Sequence, residues 1–182
     1  MRKIILTLFA LLFTLSSSAQ FYAGGRLGWW RDGETHHKRF SFQPEVGYEW
    51  NDCFSFGAVI GYYKDRTPLV KESMPAGEAG TVTNSFEFAP YVRYNVLKAG
   101  PVCLFVDGTV SIASSKTSSQ KSRNSFRIGA RPGVSVALGK DFYAVAHAGF
   151  VGYAESKAGL YRAGVGFDLS GNELTAGLYY RF

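Results

Sequence analysis

The chain has 182 residues, 20 of them basic and 14 acidic, for a net charge of +6. The length fits one domain. The charges alternate along the chain instead of clustering, which argues against a nucleic-acid-binding surface. Aromatic residues make up 16% of the chain and there are 21 glycines, an unusual pairing for a globular α/β domain.

Residues 1–19 read as a secretory signal. Arg2 and Lys3 form a basic start, and Ile4 to Leu15 is a twelve-residue apolar stretch. A short membrane anchor is the alternative, but that stretch is too short to cross a bilayer core as a helix. Ser17 and Ala19 put small residues at the −3 and −1 positions of a cleavage site, so Gln20 becomes the new N-terminus. No cysteine follows the cut, so no lipoprotein anchor is expected. The leader carries two of the 20 basic residues and no acidic one, so eighteen against 14 leave +4 on residues 20–182. That remainder has no apolar run of eighteen residues and therefore no transmembrane helix.

Eight segments of residues 20–182 alternate apolar and polar residues, the mark of a strand with two different faces. Residues 21–31 set Phe21, Ala23, Leu27 and Trp29 against Gly24, Arg26 and Gly28. The second sets Phe40, Phe42, Pro44, Val46, Tyr48 and Trp50 against Arg39, Ser41, Gln43, Glu45, Gly47 and Glu49. Residues 53–63 carry Phe54, Phe56, Ala58, Ile60 and Tyr62. The fourth opposes Phe86, Phe88, Pro90, Val92 and Tyr94 to Glu87, Ala89, Tyr91, Arg93 and Asn95. Residues 102–113 carry Val102, Leu104, Val106, Val110 and Ile112, with Asp107 opposed. The sixth sets Phe126, Ile128, Ala130, Pro132, Val134 and Val136 against Arg127, Gly129, Arg131, Gly133 and Ser135. Residues 142–152 place Phe142, alanines and Phe150 opposite His147. The chain closes with Leu174, Ala176, Leu178, Tyr180 and Phe182.

The connections alternate in length. Asn51-Asp52, Lys98 to Gly100 and Lys140-Asp141 are tight turns. Longer polar stretches lie near residues 32–38, 65–82, 114–123 and 154–172. Tight turns at one end and long loops at the other are the pattern of an outer-membrane barrel. Leu160 to Leu169 alternates in the phase opposite to the final strand. It is either one long strand with a bulge at Gly171-Asn172 or a loop with extra ladder. Phe40-x-Phe42-x-Pro44-x-Val46-x-Tyr48 recurs at Phe86 to Tyr94, with a degraded copy at Pro132-x-Val134. Three prolines at matched depth predict a shared kink, since proline removes a ladder donor.

The contents of the faces decide which solvent each one meets. Eight strands enclose a lumen that side chains just fill. Aromatics from every strand would overfill it, whereas Gly24, Gly28, Gly47, Gly57, Gly61, Gly129 and Gly133 with a few charges would fit. The large residues are therefore expected outside, against lipid. Trp29 and Tyr62 toward the loops, and Tyr48, Trp50, Tyr94, Tyr180 and Phe182 by the turns, predict two aromatic girdles. Unpaired edges are costly at membrane depth, so the first and last strands must pair. The expected fold is all-β: an eight-stranded antiparallel up-and-down transmembrane β-barrel over residues 20–182.

The opening Phe21-Tyr-Ala-Gly-Gly-Arg-Leu-Gly, the repeated Pro-x-Val-x-Tyr strands and the closing Leu178-Tyr-Tyr-Arg-Phe182 resemble the small OmpA/OmpX-type barrels of the outer-membrane β-barrel domain superfamily. The resemblance implies integration into the bacterial outer membrane and contact with its lipid. It also implies insertion by the outer-membrane assembly machinery, which would read Leu178, Tyr180 and Phe182 as a terminal signal. Surface loops would vary with function, and no single activity is implied.

The inward face carries Arg26, Arg93, Arg127, Arg131 and Arg181 with Glu45, Glu49, Glu87 and Asp107. Hairpin counting sets Arg26 level with Glu45, and Arg131 with Asp107. The expected arrangement is a paired network that plugs the lumen, with a narrow ion path as the other reading. His147 points inward as a hydrogen-bonded filler. His36 and His37 fall in a polar loop with no third ligand at zinc spacing, so no metal or other cofactor is expected. No nucleophile–base set suggests an enzyme. Cys53 and Cys103 sit inward at strand ends, on non-neighbouring strands roughly 10 Å apart, beyond the usual separation for a bridge; two free thiols are the expectation and a disulfide the alternative. The function this supports is a structural or surface-contact barrel. The alternatives are a porin-like channel, or an adhesin or receptor with an unidentified host or cell-surface ligand.

Overall fold

The computed structural model describes residues 20–31, 38–67, 81–117, 122–156, 160 and 163–182. The expected signal segment, His36 and His37 lie outside these residues. Ten strands are present: β1 (Gln20–Arg31), β2 (Lys38–Glu49), β3 (Phe54–Thr67), β4 (Thr81–Ala99), β5 (Val102–Thr117), β6 (Arg123–Ala137), β7 (Phe142–His147), β8 (Phe150–Ser156), β9 (Gly164–Asp168) and β10 (Thr175–Arg181). The order β5-β4-β3-β2-β1-β10-β7-β6 returns to β5 through a β5–β6 pairing. The wall is a closed antiparallel barrel of eight strands. β7 and β8 are two halves of its seventh strand, and β9 and β10 are two halves of its eighth.

The ladder extends beyond the expected loop boundaries. Asp65, Arg66 and Thr67 pair with Thr83, Val82 and Thr81. Ser114 and Ser115 pair with Asn124 and Arg123, and Ala154 pairs with Gly164. Polar composition marks the water around these strand ends, not the end of pairing. Cys53 lies in the turn before β3 and is exposed, not inward on a strand. Asn51 fixes that turn by accepting the Cys53 and Phe54 N–H groups at 2.8 Å each.

The seventh and eighth strands change phase halfway. Regular alternation from inward His147 would turn Phe150 outward with Phe142. Instead Ala148 and Gly149 interrupt the strand, Gly149 at φ +82°, and Phe150 is buried. Beside them, the 3-10 turn Gly171–Glu173 separates β9 from β10. This accounts for the opposite phases read in sequence: Val165, Phe167 and Leu169 face out above the turn, and Leu174 and Leu178 face out below it.

The three prolines act alike. Each keeps its register with the preceding strand: Pro44 with Gly25, Pro90 with Ala58 and Pro132 with Val106. Each also interrupts the ladder to the following strand. β2–β3 pairing stops at Phe42↔Tyr62 and resumes at Glu45↔Val59. β4–β5 pairing stops at Phe88↔Ile112 and resumes at Tyr91↔Thr109. Pro132 falls where the partner of β6 changes from β8 to β7. A missing N–H is the common cause.

Barrel closure is partial. β1 pairs with β10 from Tyr22 to Leu27. Above that, Gly28–Arg31 are paired on the β2 side alone among the described residues, and β9 pairs with β8 alone. The 3-10 turn sits in this gap, with the Trp30 ring occupying the space a side chain at Gly171 would need.

Candidate functional site

Between the turn end and the loop-end rim, the outward face is dominated by apolar side chains. Two aromatic belts frame it. By the turns, Phe21 meets Tyr48 at 5.2 Å between ring centroids, Phe54 meets Tyr94 at 5.1 Å, Phe142 meets Tyr180 at 5.0 Å, and Tyr180 meets Phe182 at 5.0 Å. Trp50 lies in the turn after β2 and packs on Phe56. By the loops, Tyr62 packs on Phe86 at 5.2 Å, and Trp29 is 73% exposed to the surroundings. Leu178 faces out between the belts.

The lumen contains more than glycine and charge. Tyr22, Tyr63, Tyr91, Tyr179, Phe105 and Phe150 are buried inside, contrary to the expectation that large residues all face lipid. The inward glycines are what make room for them. Tyr22 lies directly opposite Gly47, Tyr91 opposite Gly57, Tyr179 opposite Gly24 and Phe105 opposite Gly133. In each pair the ring covers the place where a Cβ would stand. The glycines were legible in sequence; of their aromatic partners, Tyr91 was placed on the inward face, whereas Tyr22, Tyr179 and Phe105 were not assigned.

Charge fills the remaining space in layers. At the turn end, Arg181 donates to Glu49 at 2.6 Å and its guanidinium lies over Tyr143 at 4.6 Å. A cavity of about 230 Å³, lined by Glu49, Lys98, Cys103 and Arg181 among others, opens there.

The middle layer centres on Glu45. It is ion-paired with Arg26 at 3.2 Å and accepts from Arg93 at 3.1 Å, from the Tyr179 hydroxyl at 2.6 Å and from the Tyr91 hydroxyl. Arg93 also forks onto Asp107 at 2.7 and 2.9 Å and lies over the Phe105 ring at 4.0 Å. His147 links the two halves of this layer: Nδ1 accepts from Arg26 at 2.9 Å, and Nε2 donates to Asp107 at 2.9 Å. Arg131 is directly opposite Asp107 in the ladder, yet Arg93 and His147 occupy that carboxylate.

The layer above is built on Arg127. It donates to Glu87 at 3.2 Å, Glu173 at 3.0 Å and Ser111 at 3.1 Å, and stacks over Phe150. Arg131 reaches Glu173 at 3.9 Å. Tyr63 donates to Glu87. Glu173 is the member not assigned from the sequence, although the alternation of β10 carried back from Thr175 places it inward, as observed. At the loop end, Arg39 forks onto Asp65 at 2.7 and 3.2 Å and donates to the Leu160 carbonyl at 3.0 Å. Leu160 is buried against Tyr63, Ala113 and Ala154.

Six arginines and six carboxylates thus meet inside the described wall, in a closed sheet whose outer face is apolar and belted with aromatics. Such a molecule is an integral β-barrel of the bacterial outer membrane. The chain belongs to the outer membrane protein beta-barrel domain family, whose model matches residues 5–182. Among solved structures it is similar to Neisserial surface protein A, with a TM-score of 0.54 and 17% identity over 91% of this chain and 98% of that one. The translocator domain of the autotransporter NalP from Neisseria meningitidis aligns with a TM-score of 0.33 and 12% identity over 100% of this chain and 95% of that one. A sequence search of curated proteins finds no match.

Proposed function

We propose that the protein is a non-conducting outer-membrane barrel that anchors in lipid by its wall and acts through its long connections, which face outward from the cell. The observation that carries this is the charge balance of the lumen: six buried or half-buried arginines meet six carboxylates among the described residues. An arginine stranded in so narrow a space would be costly, so the pairs hold each other in place. Leu160 and the Arg39–Asp65 pair add a cap at the loop end. The reading involves no catalytic step and no cofactor. Insertion by the outer-membrane assembly machinery, with Leu178, Tyr180 and Phe182 as its signal, belongs to the same proposal, as does contact with a cell-surface partner.

The test is single-channel conductance of the purified protein in a planar bilayer. Silence supports the plugged barrel. Reproducible steps that shift on replacing Arg131 or Asp107 would favour the narrow channel instead, because Arg131 holds its carboxylate at 3.9 Å, the longest buried pair in the lumen among the described residues.

A further inference from the structure

The outward face of β1–β3 changes character abruptly at the loop end. Below lies the aromatic belt with Trp29, Phe40 and Tyr62. One step above, Arg31, Lys38 and Arg66 are consecutive partners in a single register row across three strands. Lys64 is the next outward residue below Arg66, directly opposite Phe40. The row through Lys64 continues to Asn84 and then Lys116. Adjacent strands are about 4.8 Å apart, and successive outward residues about 7 Å apart along a strand. Four cations therefore crowd one small patch of wall.

Like charges directly opposite each other destabilise a sheet. No carboxylate offsets them among the described residues of this outward face of β1–β3, and none of Arg31, Lys38, Lys64 or Arg66 forms an ion pair there. On the opposite wall the outward rim instead carries Asn124 and Glu155. The cluster is thus one-sided and aimed at the bilayer, not at the lumen.

We infer that this patch binds the phosphate groups of a lipid in the surrounding outer leaflet. The aromatic belt sets the level of the interface, so cations one step above it stand where headgroup phosphates begin. Arginine forks grip phosphate with two hydrogen bonds, and lysine adds point charge. Basic residues at a membrane surface attract anionic lipid in proportion to their number. The aromatics below would lie along the acyl chains of the same molecule. The assignment rests on the outward orientation of the long connections, which labelling of Cys53 tests separately.

The experiment is native mass spectrometry of the full chain purified from outer membranes in mild detergent. Bisphosphorylated lipid A is titrated against its dephosphorylated form. The wild type should retain the bisphosphorylated lipid at least about tenfold better. R31Q/K38Q/R66Q should abolish that preference and still migrate as a heat-modifiable folded barrel. K98Q/K140Q, which removes charge at the turn end, should leave it intact. Millimolar inorganic phosphate should not displace the lipid. The inference is overturned if the wild type shows no preference, if the triple variant keeps it, if K98Q/K140Q loses it equally, or if inorganic phosphate alone competes.

Discussion

Gly24 and Tyr179 face each other across the joint that closes the barrel. The ring lies so near that a methyl group on Gly24 would stand 2.3 Å from its Cδ1 and 2.2 Å from the Leu178 carbonyl oxygen. Closure at this level therefore requires glycine on one strand and accepts an aromatic on the other, the cross-strand rescue of a glycine by a ring.

Three alanine substitutions should consequently rank in order. Gly24→Ala meets backbone and should cost about 3 kcal/mol, near the upper range for overpacking. Gly47→Ala meets the Tyr22 ring, which can give way, and should cost about 1 kcal/mol. Gly108→Ala finds its nearest atom 3.8 Å away and should be almost neutral. Urea unfolding in detergent micelles measures all three, and an equal loss at Gly108 would refute the packing account.

Glu45 holds two arginines and two tyrosine hydroxyls. Glu45→Ala leaves Arg26 and Arg93 short of a partner in a buried layer. A loss of about 3–5 kcal/mol is expected, read as a lower temperature for conversion from folded to unfolded gel mobility. An unchanged temperature would show that the layer has another source of compensation.

Glu173 ties the break in the eighth strand to the lumen through Arg127 and Arg131. Glu173→Gln should loosen that break first. Hydrogen exchange should rise in β9 and the 3-10 turn while β2–β5 stay protected. Uniform acceleration along the chain would mean that Glu173 supports the whole barrel and not this segment.

Cys53 is exposed in a tight turn, and Cys103 is half-buried at the start of β5. Both should react with a maleimide without reductant, Cys53 faster. In intact cells, a reagent excluded by the outer membrane should reach Cys53 only after permeabilisation. Labelling of intact cells would invert the orientation and move the long connections to the periplasm.

Wall, closure and belts were legible in the sequence because a two-residue period reports faces directly. The sequence also showed the three prolines, although the side on which each opens the ladder needed the register. Phe150 escaped because a break of one or two residues reverses the phase of everything beyond it, so counting from His147 turns it outward. Glu173 is in phase with the inward residues counted back from Leu178 and escaped only because it stood in a stretch read as a loop. Tyr91 was placed on the inward face with Glu87 and Arg93, but the other inward tyrosines escaped for another reason. Volume was reckoned per lumen, whereas room is made locally, by a glycine directly across the ladder. The Arg26–Glu45 contact was visible because two hairpin strands nearly fix their mutual level: the register sets Glu45 opposite Gly24 and Arg26 opposite Gln43, one inward step off the expected level, and the two side chains meet on the diagonal. Arg93 lies directly opposite Asp107 on the β4–β5 hairpin and could have been levelled in the same way, whereas its reach to Glu45 on β2 joins strands that no hairpin connects and needs the curved wall.

The joint between first and last strands engages seven residues of β1, the ladder from Tyr22 to Leu27 and the Phe21 carbonyl that accepts from Phe182, whereas the other edge of that twelve-residue strand is paired along its whole length. A hoop is as strong as its shortest weld. Force drawn around the wall concentrates on those few bonds, so stretching the molecule between β1 and β9 would unzip it from the loop end downward, past the Trp30–Gly171 contact, before any other stave yields. The charges locked across the lumen serve as the cylinder's inner bracing.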